Sequence, residues 1–174
     1  MPATLDQTPC PECGFDAGSV SPGDAAVAIR SYPRRYRALL AGIDEQDESL
    51  LLETGPDGGL SAAGHAAHVA DTFDACAKAI EQITTADGPT VALDPTSPSV
   101  SSVDDALSQL SHAATALALT IEGVQGKAWK RTGMTSASGE VSALQVAQHA
   151  VHDGHHHLKA IPKVLEAVRS QHNN

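Results

Sequence analysis

The chain has 174 residues, enough for one domain with a single sizeable core; only 3 % are aromatic, and the Ala-, Ser- and Leu-rich remainder favours helices. A formal net charge of −10 argues against a nucleic-acid-binding surface. No apolar run approaches the roughly 18–20 residues of a membrane span, and the opening MPATLDQTPCPECG lacks the basic and apolar regions of a signal peptide, so a cytoplasmic protein with no membrane partner is expected.

Residues 1–22 read as an irregular leader punctuated by Pro and Gly. It carries Cys10 and Cys13 as a C-x-x-C. Three cysteines make no disulfide framework. Reduced thiols in a tight turn are the plainest reading of the pair; a zinc shared with a histidine, or a redox role, are the alternatives. A first helical pattern covers residues 24–43, with Val27, Ile29, Tyr36, Leu39, Leu40 and Ile43 as apolar members. Pro33 makes it either a kinked helix or two short ones. Residues 44–60 are an acidic, then Gly-rich connection with one turn near Leu50–Leu52.

Ser61 is an N-cap candidate for a second helix reaching about Thr84. His65, Val69, Phe73, Cys76, Ile80 and Ile83 recur at helical spacing as an inward stripe, with His68 and Thr72 beside it. Residues 86–101 form a loop through Pro89, Pro95 and Pro98. A third helix over 102–124 keeps a near-heptad seam of Leu107, Leu110, Ala114, Leu117, Ile121 and Val124, leaving His112 on the surface. After a connection over 125–141, a capping box from Ser142 to Gln145 opens the fourth helix. Leu144, Val151, Leu158, Ile161, Leu165 and Val168 form its seam, and Pro162 should bend it. The expectation is an all-α protein: a four-helix bundle domain over 23–174 whose long connections permit crossovers.

The chemistry concentrates in the fourth helix, at VAQHAVHDGHHHLKAI. Residues three and four apart share a helix face, so His152 and His156 can aim their imidazoles at one spot. His149 lies on much the same side, His155 nearer the core stripe, and His157 is expected to point away. Two imidazoles on adjacent turns supply two-thirds of a three-ligand metal site. Facing helices of a bundle lie about 8–10 Å apart, so His65 or His68 could supply the third. No Glu-x-x-His is present, which removes the di-iron bundles. HDGHH mimics the zinc-protease H-E-x-x-H, with a shorter Asp153 as base and no persuasive third ligand downstream. A His-rich patch that merely scavenges metal is the bland alternative.

The second-helix HVAD (His68–Asp71), the W-x-R-x-G of Trp129, Arg131 and Gly133, and the HD-x-x-HHL of His152, Asp153, His156, His157 and Leu158 together resemble the DinB/YfiT-like superfamily. That superfamily includes mycothiol-dependent maleylpyruvate isomerases and bacillithiol transferases. The CPECGFD leader is similar to one branch of it. The resemblance implies a four-helix bundle with crossover connections and a divalent metal, zinc or nickel, held by His68, His152 and His156. His68 is preferred to His65 because it occupies the histidine of the H-[LV]-x-D element. The implied chemistry is metal-assisted reaction of a low-molecular-weight thiol such as mycothiol with a small-molecule substrate.

Other roles stay open at this point. Asp153 could steady a ligand, carry a proton, or be an exposed helix carboxylate; Asp71 and Thr72 are equal candidates for orienting a ligand. Arg30, Arg34, Arg35, Arg37, Lys127, Lys130 and Arg131 are the cations available to a thiol cofactor. The enzymatic reading is a thiol S-transferase or an isomerase. Its alternative is a non-catalytic metal- or ligand-binding, stress-related protein on the same bundle, for which a fourth protein ligand such as His65 or His149 would speak. A homodimer through the bundle faces is open too.

Overall fold

A computed structural model describes residues 9–41, 48–95, 100–137 and 139–173. Among the described residues four long helices dominate: α1 (Pro22–Ala41), α3 (Ala62–Thr85), α4 (Val103–Gly123) and α5 (Ala143–His172), with a short α2 (Glu48–Leu52) between the first two. The starts are set by serine. Ser61, Ser102 and Ser142 accept hydrogen bonds from the backbone N–H groups of Gly64, Asp105 and Gln145, and the Gln145 side-chain oxygen accepts in turn from the Ser142 backbone N–H. α1 runs through Pro33 as one element, and α5 through Pro162. Ile43, the expected last member of the first helix, lies outside the described residues, as does Pro98.

The inward stripe of α3 is buried as its period requires, and Ala62, Ala63, Ala66, Ala67 and Ala70 fill the space between. Small side chains there let neighbouring helices approach closely. Two members assigned to the core of the first helix face outward instead: Val27 is 71 % exposed and Leu39 36 %. Tyr32 takes the inward position with Ile29, Tyr36 and Leu40.

Directions follow from contacts. Tyr32 and Tyr36 of α1 donate to the carbonyls of Val151 and Gly154 of α5, rising together along both helices, so the two are parallel. α3 opposes α5: His65 near its start meets His157, while Ile83 near its end accepts from Arg131, just ahead of α5. Arg30 in the first half of α1 pairs with Glu122 in the last turn of α4, so α4 opposes α1. The successive helices α3 and α4 therefore run the same way, and the chain between them must return along the bundle. Residues 86–102 extended reach about 50 Å, more than a helix of this length spans at ~1.5 Å per residue. That is a crossover. Consecutive long helices α1 and α3 sit across the bundle diagonal, and each packs against α4 and α5.

The connection before α5 holds structure the helical reading did not contain. β1 (Thr132–Thr135) and β2 (Gly139–Ser142) pair antiparallel, with Thr132 opposite Ser142. The crossover joins this ribbon through a parallel bridge from Thr90 to Met134. Gly133 sits where a Cβ would lie 2.9 Å from both Ile83 Cγ1 and the Pro89 carbonyl oxygen, so only glycine lets the ribbon close on α3. Arg131 donates to the carbonyls of Ile83 and Ala86, which the end of α3 leaves without helical partners. Trp129 is half-buried against the core. The W-x-R-x-G element thus fastens the linker to the end of α3.

Candidate metal centre

α5 presents its histidines on two faces. Asp153 and His157, four apart, face α3. His152 and His156, four apart and one residue earlier, face the leader. A one-residue offset turns a side chain by about 100° around the helix, so the two pairs meet different neighbours.

On the α3 side, the donor atoms of His68, Asp153 and His157 all lie within 4.8 Å of one another. His157 Nε2 is 3.4 Å and His68 Nε2 3.8 Å from Asp153 Oδ1. Burial alone would raise the Asp153 carboxyl, but the imidazoles of His157 and His68 outweigh it and hold the group well below the usual carboxylate range. Its side chain is only 15 % exposed, and Oδ2 is buried without a hydrogen-bond partner. Asp153 is therefore a buried, charged donor and not an exposed helix carboxylate.

Behind His157 stands His65, buried, with the two Nδ1 atoms 2.7 Å apart. Burial first, then the neighbouring His157 and His68, push His65 down to about 4. It is neutral at pH 7 and bonds to His157 rather than joining the three donors. His149 is also pushed down by burial. Cys76 is fully buried core, its thiol raised by burial.

On the leader side, the donors of Cys10, Cys13, His152 and His156 lie within 4.8 Å of one another. The turn is tight: Gly14, at φ +72°, donates to the Cys10 carbonyl, and Cys10 N–H donates to the Phe15 carbonyl. Phe15 stacks on His155, with ring centroids 4.9 Å apart, and on His152 at 6.3 Å. Burial raises the Cys10 thiol, yet the backbone N–H groups of Cys13 and Glu12 and the side chains of His152 and Cys13 bring it down to about 7. Cys13 is raised, by burial foremost.

The expected set of His68, His152 and His156 is thus divided between the two groups. His68 meets Asp153 and His157; His152 and His156 meet the leader cysteines. His157, expected to point away, is turned inward. A run of H-D-x-x-H-H contains two i, i+4 pairs one residue apart, and only the packing of α5 decides which pair faces α3. Of the cations considered for a thiol cofactor, Arg30 is tied to Glu122, Arg131 caps α3 and Arg35 lies over the Tyr32 ring.

The backbone under both groups is fixed by α1. A Cβ on Gly154 would lie 2.7 Å from Tyr32 Cε2. Glycine there admits the tyrosine ring, and the two tyrosine hydroxyls clamp the turn that carries Asp153.

Among solved structures, the chain is similar to YfiT from Bacillus subtilis, described as a probable metal-dependent hydrolase with an unusual four-helix bundle topology (TM-score 0.70, 14 % identity, 84 % of this chain and 88 % of that one). It is also similar to TT2238, a four-helix bundle protein (0.63, 19 %, 82 % and 99 %). A third is a mutant of the mycothiol-dependent maleylpyruvate isomerase (0.62, 14 %, 79 % and 59 %). At such identities the likeness shows the fold. No curated protein matches the chain significantly. The DinB superfamily model matches residues 28–161, from α1 to beyond His157 in α5. The chain belongs to the DinB superfamily.

Proposed function

We propose that this protein is a metal-dependent enzyme of thiol-linked transfer, isomerisation or detoxification, with a divalent metal, zinc or nickel, held by His68, Asp153 and His157. The observation that carries the reading is the buried carboxylate of Asp153, with one oxygen between two imidazoles and the other without a partner. A buried charge of this kind calls for a cation. Two nitrogens and one oxygen from two helices fit zinc or nickel, and three protein donors leave room for a small molecule. The proposal keeps His68 from the expected triad and moves the other two places from His152 and His156 to Asp153 and His157.

When bound, the metal would lower the pKa of a coordinated thiol or water, supplying a nucleophile at neutral pH. The chain's own residues do the rest. Asp153 stays ionised and supplies the negative charge of the donor set. Neutral His65 accepts a hydrogen bond at Nδ1 from the His157 Nδ1–H, which leaves His157 Nε2 free to act as a donor atom. Tyr32 and Tyr36 fix the turn that presents Asp153. The likeness to a mycothiol-dependent isomerase supports a low-molecular-weight thiol as co-reactant and a small molecule as substrate.

Elemental analysis of the tag-free protein tests this, with His68→Ala and His157→Ala beside wild type. Each variant should lose about one metal equivalent and any mycothiol-consuming activity toward small electrophiles. Full metal retention in both would overturn the centre. Metal held by a wild type that consumes no thiol would favour the non-catalytic reading.

A further inference from the structure

The second group on α5 has the composition of a different kind of site. Cys10 and Cys13 are spaced C-x2-C and His152 and His156 H-x3-H, the pairing by which structural zinc is closed off with four protein ligands. Sequence alone offered one thiol pair and no second, because the partner pair lies at the other end of the chain.

The geometry points to a closed Cys2His2 zinc site formed by Cys10, Cys13, His152 and His156, which staples the leader to the outer face of α5. Four observations carry it. Donors about 2.0–2.3 Å from a tetrahedral ion sit somewhat under 4 Å apart; Cys10 Sγ and His156 Nδ1 are already 3.8 Å apart, and the whole set falls within 4.8 Å. His152 Nε2 is buried and lacks a hydrogen-bond partner. His156 turns Nδ1 to the Cys10 sulfur while its Nε2 lies 3.4 Å from Glu12 Oε2, so the carboxylate can fix the tautomer that offers Nδ1 to a metal. The turn itself, finally, is closed by hydrogen bonds from Gly14 N–H to the Cys10 carbonyl and from Cys10 N–H to the Phe15 carbonyl, which keeps both cysteines together beside His152 and His156. On binding, both thiols give up their protons to solvent. Two thiolates then neutralise the dication, as a half-buried location requires. All four coordination places belong to the chain, so this site is structural and independent of the centre on the α3 side.

Cobalt titration of the reduced full-length protein tests it, since a thiolate-to-cobalt absorption in the near ultraviolet arises only with cysteine ligands. Wild type should show that band, saturating at about one equivalent, and zinc should abolish it. His68→Ala should keep the band, whereas Cys10→Ser/Cys13→Ser should lose it, together with one zinc equivalent by elemental analysis. His156→Ala should weaken cobalt binding at least tenfold. Absence of the band from wild type overturns the proposal, whether or not the double variant folds. So does a band of unchanged affinity in His156→Ala. Because the band reports the cysteines alone, its loss and the loss of the His68 centre are read separately.

Discussion

The Nδ1 atoms of His65 and His157 lie 2.7 Å apart, and a hydrogen bond between two like nitrogens requires one proton, held by one ring and accepted by the other. Burial keeps His65 neutral, so it can serve as acceptor and fix the His157 tautomer. His65→Phe keeps the bulk and removes the acceptor. It should weaken zinc at the His68 centre by about 10–100-fold, measured by competition with a chelator, and His65→Gln should recover part of the loss. Unchanged affinity in His65→Phe would show that the pair merely packs.

Gly154 is a helix glycine retained against helix propensity. Alanine would ordinarily add up to about 1 kcal/mol there, but its Cβ would meet the Tyr32 ring at 2.7 Å. Overpacking of this kind costs about 1–3 kcal/mol. Gly154→Ala should therefore lower the Tm, and a paired Tyr32→Ala background should remove that penalty. A higher Tm for the single variant would mean that the ring gives way freely.

The tyrosines predict an alkaline limit. Burial pushes Tyr32 up to about 12 and Tyr36 well above its ordinary value, while both donate to α5 carbonyls. In the unfolded chain they ionise near pH 10. Groups raised on folding give stability that is whole below about pH 10 and is lost as the pH rises through about 12. Urea midpoints should fall over that window, and Tyr32→Phe/Tyr36→Phe should flatten the fall. An equal slope in the double variant would place the alkaline sensitivity elsewhere.

Arg131 makes three hydrogen bonds, and they are not equal. Two reach the Ile83 and Ala86 carbonyls at the end of α3; the third reaches Asp87, whose side chain is fully exposed. Exposed ion pairs contribute little, whereas uncapped helix carbonyls lose a charged donor. Arg131→Ala should cost about 1.5–3 kcal/mol, and Asp87→Ala should leave the Tm unchanged. Equal effects would assign the stabilisation to the ion pair.

The helices and their starts were legible because each rests on local chemistry: Ser61 and the Ser142–Gln145 box cap as expected, the third helix starts beside Ser102, and the α3 stripe is buried. What was not legible is long-range. Two four-residue strands with glycine in each carry too little period-2 signal to stand out from a linker. The division of His68, His152 and His156 turns on a rotation of α5 that the sequence states twice, once in each i, i+4 pair. Tyr32, outside the apolar members assigned to α1, is the residue that selects between them. Docking of Cys10 and Cys13 on α5 had no local sign at all.

Both donor sets close very long loops. Cys10 and His156 are 146 positions apart, and His68 and His157 are 89 apart. Contacts of such separation form late, after the entropy of bringing distant segments together has been met by helix packing. Neither set can belong to an early nucleus made of neighbouring helices. An ion at either place should therefore act on the lifetime of the native state and not on the speed of reaching it. In stopped-flow experiments, zinc should slow unfolding while leaving the refolding rate of the same chain unaltered. Acceleration of refolding by zinc would mean that the ends of the chain meet first.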